Sequence, residues 1–333
     1  MNQDASHQFA SGEAGPRKTL EQDLCSLCGD PMPAPFIAVI DNRTGMLDRL
    51  FPYAQCRRCG LVSIQPLPDA EATLTGHQQG YGDIVAQAEF QPVRTRRRLN
   101  ALVNPLRYLW HVVDGMPSLD RLPIRGKVVD VGSGTGEHVA ELLRLGFDAV
   151  GIEPNPQAVA VATRRGLPVT RGTSENPGYP PGSFDTIILN QVIEHLVDPV
   201  SAITTLRGLL RPGGRMIVLT PNVSGWPRRA FGGEWAHWHP PYHVHLFGTR
   251  QLERTLTDGG LRVESMRTLT PAYWITSSVE LMRHRSRSTG WQLPAAGWQP
   301  PHLVRLALAP ITRIADALGT GDCLVAVAST RGT

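Results

Sequence analysis

The sequence predicts an α/β fold in which a doubly wound, Rossmann-like parallel sheet carries a nucleotide-type cofactor. Strand and helix patterns alternate from residue 126 to 222, which is typical of such a sheet. The first strand, around Asp130, runs directly into a glycine-rich turn in the stretch Lys127-Val-Val-Asp-Val-Gly-Ser-Gly-Thr-Gly136, and a helix-forming segment follows. Glycines let a backbone approach a ligand closely, and the ligand would then lie at a helix N-terminus.

Length and composition limit the number of domains, the class of protein and the partners that can be expected. The 333 residues are enough for roughly two domains, and 41% hydrophobic residues is ordinary for a globular protein. A net charge of +4 does not by itself indicate a nucleic-acid partner. Because no apolar run reaches the roughly 18 to 20 residues of a membrane span, we expect no membrane partner. The polar N-terminus has no apolar signal core, so we expect a cytoplasmic protein.

Four of the five cysteines form two Cys-x-x-Cys-Gly motifs, Cys25/Cys28 and Cys56/Cys59. Each motif brings two thiolates to one metal ion, so the pair supplies the four sulfurs of a closed, tetrahedral zinc site. A closed site has no open position for a substrate, which makes this zinc structural. The alternative is a set of free or redox-active thiols. Cys323 lies in an apolar run and is predicted to pack in the core.

The patterning places each element of the fold. Seven strands are predicted at 128–131, 149–153, 168–171, 184–190, 215–220, 261–269 and 323–328. Helices are predicted at 137–145, 156–165, 199–210, 251–259 and near 303–318. The predicted organisation is a disordered tail (1–20), a zinc ribbon (21–68), a helical linker or lid (69–125), a cofactor-binding core (126–270), and a helical insertion with the final core strand (271–333).

The spacing of the glycines indicates which class of cofactor the turn binds. A dinucleotide fingerprint is Gly-x-Gly-x-x-Gly, whereas here the third glycine is Gly136 and a glutamate follows it. The observed form, Asp130-x-Gly132-x-Gly134-x-Gly136, resembles motif I of the class I S-adenosylmethionine-dependent methyltransferases. Segments 172–185, 190–196 and 210–222 resemble the later motifs of that family in order. The resemblance implies a seven-stranded methyltransferase sheet and S-adenosylmethionine as the cofactor.

The resemblance also implies which residues hold the cofactor. These are Asp130, Gly132, Ser133, Gly134, Gly136, Glu153, Thr173, Ser174, Asn190, Gln191 and His195. Glu153 is expected to accept hydrogen bonds from the ribose hydroxyls. Thr173 stands where many members have an aspartate that binds the adenine amine, so backbone groups near Ser174 are expected to share that contact, with Glu175 as a further candidate. Glu194 and His195 either shape the pocket or take part in the chemistry.

Residues 222–249 form a predicted long loop that is rich in tryptophan and histidine. Part of it resembles the loop that closes over the methyl group in a methyltransferase subgroup. On that match His243 is the first candidate for the general base and His245 the second, while Tyr242 would bind or orient the substrate. Trp235 and Trp238 would form apolar walls. Alternatively, the histidines order the loop by hydrogen bonding, or bind a second metal ion.

The four-cysteine site narrows the resemblance to zinc-ribbon methyltransferases, which include sugar C-methyltransferases. Those proteins carry Tyr-x-Glu-His, where this chain has Tyr242-His243-Val244-His245, and they have a further α/β domain for which 271–333 is too short. The expected function is therefore methylation of an O, N or C nucleophile of a small molecule in specialised metabolism. RNA methylation, supported by basic runs at 94–98 and 283–287, and a non-methylating role are the alternatives. The sequence leaves the oligomeric state open.

Overall fold

The structure is a computed structural model that describes residues 24–41, 49–69, 73, 122–284 and 301–330. The predicted tail, most of the predicted linker or lid, and the basic run at 94–98 lie outside the described residues. So does most of the run at 283–287.

Seven strands form the central sheet, as the sequence predicts. They are β4 (Lys127–Val131), β5 (Asp148–Glu153), β6 (Val169–Arg171), β7 (Phe184–Asn190), β8 (Leu210–Pro221), β10 (Arg262–Leu269) and β11 (Cys323–Ser329). Their order across the sheet is β10-β11-β8-β7-β4-β5-β6. All run parallel except β11, which lies antiparallel between β8 and β10. The carboxyl ends of β4 and β7 are therefore neighbours in the middle of the sheet.

Seven helices accompany the strands within the described residues. They are α1 (Glu137–Leu145), α2 (Pro156–Arg164), α3 (Pro199–Gly208), α4 (Trp226–Phe231), α5 (Thr249–Asp258), α6 (Ala272–His284) and α7 (His302–Ala317). The helix α2 begins where the Asn155 side chain accepts the N–H groups of Gln157 and Ala158, with Pro156 at the first position. The helix α6 lies in the segment predicted only as an insertion. None of the described helices is both long and apolar enough to cross a membrane.

A second, four-stranded antiparallel sheet joins two regions that are far apart in the sequence. Its strands are β1 (Ile37–Ile40), β2 (Leu50–Gln55), β3 (Val62–Ile64) and β9 (His245–Leu246). In the pairing of β3 with β9, Ser63 lies opposite His245. The segment 222–249 is thus not the plain loop that the sequence predicts, because it contains α4, a 3₁₀ turn and β9.

The two tryptophans of this segment belong to a shared hydrophobic core. Trp235 and Trp238 have no exposed surface, and Tyr53 of β2 packs on Trp238 with ring centroids 4.9 Å apart. The Tyr53 hydroxyl donates to the carbonyl of His243 at 2.8 Å. Burying an aromatic side chain of this size contributes roughly 2 to 3 kcal/mol. The two tryptophans therefore anchor the segment to the ribbon and are not walls of an open acceptor pocket.

Candidate functional site

The glycine turn, residues 132–136, connects β4 to α1. Gly132, Gly134 and Gly136 have φ of 72°, 54° and 85°, the left-handed region that favours glycine. A Cβ on Gly132 would lie 2.6 Å from Val192 Cγ2, so the turn packs directly on the segment that follows β7. Only glycine permits both this backbone conformation and this close approach.

Glu153, at the end of β5, holds the glycine turn in place. Its Oε2 accepts the Gly134 N–H at 2.8 Å, and its Oε1 accepts the Asn155 N–H at 2.8 Å. The side chain is buried, and this burial raises the carboxyl pKa. Each carboxylate oxygen has a further lone pair, which leaves acceptor capacity for ribose hydroxyls.

Polar groups meet at the adjacent ends of β4 and β7. Burial raises the pKa of Asp130 to about 6, against the opposing effect of His138, whose Nδ1 lies 3.8 Å from the Asp130 carboxylate. Asn190 Nδ2 lies 3.3 Å from His138 Nε2. The end of β4 therefore carries a buried carboxyl whose pKa is raised toward neutral pH.

The segment after β6 holds Thr173 and Ser174. The Thr173 hydroxyl accepts the Asn176 N–H at 3.0 Å, and the Ser174 hydroxyl donates to Glu175 at 2.8 Å. Both hydroxyls thus already serve the local turn, which leaves Thr173 only part of its capacity for an adenine contact. Ser133 is also buried, and its Oγ has no hydrogen-bond partner among the described residues.

A second group of side chains, here called the histidine cluster, consists of Glu194, His195, His239 and His243. Gln191, which leads into it, has a φ of +56°, and His239 has a φ of +38°, so two non-glycine residues adopt left-handed backbone here. Such backbone strain is often found at functional sites.

Glu194 is the buried centre of the histidine cluster. Its Oε2 accepts the hydrogen of the Thr220 hydroxyl at 2.9 Å, while its buried Oε1 has no hydrogen-bond partner in the part of the chain that the structure describes. Burial raises the pKa of this carboxyl to about 8. Its backbone carbonyl accepts the Val244 N–H at 2.9 Å, which binds the segment 222–249 to the end of β7.

Two imidazoles of the cluster have a fixed tautomer. His243 Nδ1 lies 2.7 Å from the carbonyl of His237, and His195 Nδ1 lies 2.8 Å from the carbonyl of Tyr242. Because a carbonyl can only accept, each Nδ1 carries the hydrogen and each Nε2 of a neutral ring carries the lone pair. His243 Nε2 lies 4.0 Å from Glu194 Oε1 and 3.4 Å from His239 Nδ1.

His245, the second candidate base, lies where the ribbon meets the central sheet. Its Nδ1 is 2.8 Å from the Ser63 hydroxyl, and its Nε2 is 3.1 Å from both the Ser26 hydroxyl and the Val197 carbonyl. Burial lowers the pKa of this imidazole to about 4. With both ring nitrogens hydrogen-bonded to the protein, His245 joins the ribbon to the core.

A buried polar pair was not recognised in the sequence. Asp322, just before β11, accepts the Trp235 indole N–H at 2.7 Å, and its other oxygen lies 3.3 Å from His237 Nε2. None of these three side chains has exposed surface. The aspartate is remote from both partners in sequence, so no local pattern announces the pair. Glu194, by contrast, could be recognised as a candidate in the sequence, because a carboxylate followed by a histidine comes shortly after a predicted strand.

The four cysteines of the ribbon come together. The sulfurs of Cys25 and Cys59 are 3.4 Å apart, and those of Cys28 and Cys56 are 3.5 Å apart. All four sulfurs lie within 4.8 Å of one another. In a tetrahedral zinc–thiolate site the sulfurs are about 3.8 Å apart. The residues therefore fit a zinc ion, with every position taken by sulfur.

Comparison with known proteins gives consistent matches. The sequence matches the methyltransferase-domain family over residues 97–266, half of the chain. The ubiquinone biosynthesis O-methyltransferase of Cereibacter sphaeroides is 33% identical over 129 residues, which cover 36% of this chain and 52% of that protein. That of Cupriavidus pinatubonensis is 28% identical over 198 residues, covering 55% and 74%. This chain thus spans about half the length of the Cereibacter relatives it matches.

Several solved structures have a similar fold. Geranyl diphosphate C-methyltransferase from Streptomyces coelicolor A3(2) has a TM-score of 0.47 at 15% identity, covering 78% of this chain and 99% of that one. A possible histamine N-methyltransferase from Thermotoga maritima has a TM-score of 0.44 at 20% identity, covering 68% and 95%.

Proposed function

Because the chain belongs to the S-adenosylmethionine-dependent methyltransferases, we propose that it methylates a hydroxyl oxygen of a small molecule in specialised metabolism, with His243 as the general base. The cofactor would be held by the glycine turn, Asp130 and Glu153, with Asn190 and Gln191 at the end of β7. Curated relatives are named O-methyltransferases, which favours oxygen over nitrogen or carbon as the acceptor atom.

The observation that carries the proposal is the lone pair on His243 Nε2. Its tautomer is fixed by the hydrogen bond from Nδ1 to the His237 carbonyl at 2.7 Å. A further support is that the glycine turn packs against the segment that contains Glu194, because a Cβ on Gly132 would lie 2.6 Å from Val192 Cγ2, two residues before Glu194. An imidazole in this tautomer is ready to accept a proton at Nε2.

In the proposed reaction the acceptor hydroxyl gives its proton to His243 Nε2. The oxygen lone pair forms the new bond to the methyl carbon, and the electron pair of the breaking S–C bond returns to sulfur, which becomes the neutral thioether of S-adenosylhomocysteine. The sulfonium methyl is already electrophilic, so the protein mainly has to align the two reactants and take the proton. Tyr242, whose ring centroid lies 5.1 Å from that of His239, is proposed to orient the acceptor.

The zinc ribbon is proposed to have a structural role on the acceptor side. Four thiolates leave a zinc ion no open position, so it contributes to folding and not to the reaction. Through β9 the ribbon holds the segment that carries His243. The supporting observations are the four convergent sulfurs and the Ser63–His245 pairing.

The test is release of S-adenosylhomocysteine with a panel of phenols, catechols, amines and carbon acids. The proposal expects turnover with at least one hydroxyl acceptor, and a loss of roughly 10² to 10⁴ in kcat for His243→Ala. The affinity of that variant for S-adenosylmethionine should stay unchanged. His302→Ala, an exposed histidine at the start of α7, is the matched control. Normal turnover in His243→Ala, or turnover with amines alone, would contradict the proposal.

A further inference from the structure

We propose that Glu194, His195 and His243 bind a divalent first-row transition-metal ion beside the cofactor pocket, distinct from the zinc of the ribbon. A carboxylate oxygen and two imidazole nitrogens of these residues lie within 4.8 Å of one another. Two histidines and one carboxylate form a known set of ligands for such ions and leave positions open for other ligands.

The buried carboxyl of Glu194 lacks a hydrogen-bond partner for one of its two oxygens within the described residues. Glu194 has no exposed surface, and among the described residues its Oε1 has no hydrogen-bond partner, although leaving a buried polar atom without a partner is unfavourable. His243 Nε2 lies 4.0 Å from Oε1, which is too far for a hydrogen bond. A cation between the Glu194 carboxyl and the two imidazoles would supply the partner that Oε1 lacks.

Each proposed ligand is oriented by a hydrogen bond from its other side. The carbonyls of Tyr242 and His237 accept the Nδ1–H groups of His195 and His243, and Thr220 donates to Glu194 Oε2 at 2.9 Å. Histidines that bind metals commonly donate their other ring N–H to a carbonyl or carboxylate in this way.

The distances suit a cation after a small contraction. Ligand atoms about 2.0 to 2.2 Å from an ion lie roughly 3 Å apart, whereas His243 Nε2 and Glu194 Oε1 are 4.0 Å apart. A shift of about 1 Å closes this gap. His239, with Nδ1 3.4 Å from His243 Nε2, lies at the edge of the same site.

The consequence for the reaction rests on the proposed methylation of a hydroxyl oxygen and changes the group that promotes loss of the proton. Because the ion would occupy Nε2 of His243, the cation would make the bound hydroxyl more acidic, and the proton would pass to water instead of to His243. Two neighbouring hydroxyls could bind the ion together, so the site favours acceptors with a vicinal pair of oxygens.

The test is titration of the zinc-loaded full-length chain with Mn²⁺, an ion that prefers nitrogen and oxygen over thiolate ligands, followed by electron paramagnetic resonance. We expect one bound Mn²⁺ per chain. Glu194→Gln and His195→Ala should weaken binding at least 10-fold, and Thr220→Val by roughly 10- to 100-fold. Glu141→Gln, a carboxylate on α1, is the control and should bind normally. Retained S-adenosylmethionine affinity in Glu194→Gln, Thr220→Val and Glu141→Gln shows that the fold is intact.

The inference is wrong if the parent chain binds neither Mn²⁺ nor Zn²⁺ beyond the ribbon zinc, or if Glu141→Gln has the same effect as Glu194→Gln. That failure differs from failure of the proposed function. A protein that turns over hydroxyl acceptors equally well after chelation, yet loses turnover in His243→Ala, uses His243 as a base without a cation.

Discussion

The cofactor side of the site and the acceptor side are assembled from different kinds of contact. The glycine turn, Asp130 and Glu153 come from the ends of neighbouring parallel strands, within a short stretch of sequence. The histidine cluster combines the end of β7 with the segment 222–249, and β9 ties that segment to a ribbon nearly two hundred residues earlier. The cofactor side is thus held by local geometry, while the acceptor side depends on long-range packing.

This difference implies that the two sides can be disabled separately. The ribbon and the segment 222–249 share a hydrophobic core built on Tyr53, Trp235 and Trp238, whereas the glycine turn rests on the hydrogen bonds of Glu153. Damage to one side should leave a measurable function on the other.

The largest effect is expected from Cys56→Ser, which removes one sulfur of the four-cysteine site. Loss of a structural zinc ion withdraws several kcal/mol of folding free energy, so the ribbon and β9 should become susceptible to limited proteolysis. Zinc content measured by mass spectrometry should fall by one ion per chain, while S-adenosylmethionine affinity by calorimetry should change less than about 3-fold.

Cys323→Ala is the control, because its buried sulfur lies in β11, outside the four-cysteine site. It should keep its zinc and its resistance to proteolysis. Equal loss of cofactor binding and ribbon structure in Cys56→Ser would show that the two sides form one cooperative unit.

The next effect is expected from Gly132→Ala on the cofactor side. A left-handed φ of 72° costs an alanine roughly 1 to 2 kcal/mol, and its Cβ would lie 2.6 Å from Val192 Cγ2, which must move. A displacement near 1 Å should reduce S-adenosylmethionine affinity roughly 10²-fold by calorimetry, with zinc content unchanged.

Gly178→Ala is the matched control for that substitution. Its φ is 74°, and a Cβ there would meet no atom within 4 Å, so it has the same backbone strain without the clash. If both variants lose the same affinity, strain and not the contact with Val192 explains the result.

The same difference explains how much the sequence could predict. The strands, the glycine turn, Glu153 and the four cysteines each follow from residues close together in the chain, and the seven-stranded sheet is confirmed. The site residues stay predictions, yet the structure places Asp130, Asn190 and the glycine turn at adjacent strand ends.

What the sequence could not predict depends on partners distant in the chain. The antiparallel pairing of His245 with Ser63 converts a candidate base into a link to the ribbon, and no local pattern specifies that pairing. Likewise, the burial of Trp235 requires Asp322, which lies 87 residues later. A histidine-rich segment indicates that imidazoles are present for proton transfer or metal binding. Only the fold shows which of their ring nitrogens already form hydrogen bonds within the protein.

The smallest effect is expected from Asp130→Asn, which should change the free energy of unfolding and the affinity for the cofactor in opposite directions. Burial raises the pKa of Asp130 from 3.8 to about 6. The carboxyl is therefore neutral in both folded and unfolded chains below about pH 3. Between about pH 3 and 6 mainly the unfolded chain ionises, so the parent protein loses stability as the pH rises through this range. At pH 7.5 the asparagine variant should be more stable to urea by about 1 to 3 kcal/mol, and near pH 3 the difference should vanish.

Cofactor binding should move in the opposite direction. A cationic sulfonium cofactor loses a nearby negative charge in Asp130→Asn, so its affinity at pH 7.5 should fall roughly 10-fold. Asp148→Asn, an exposed carboxylate at the start of β5, should change neither quantity. If Asp130→Asn binds the cofactor like the parent chain but is more stable at pH 7.5, the carboxylate is buried without facing the cofactor.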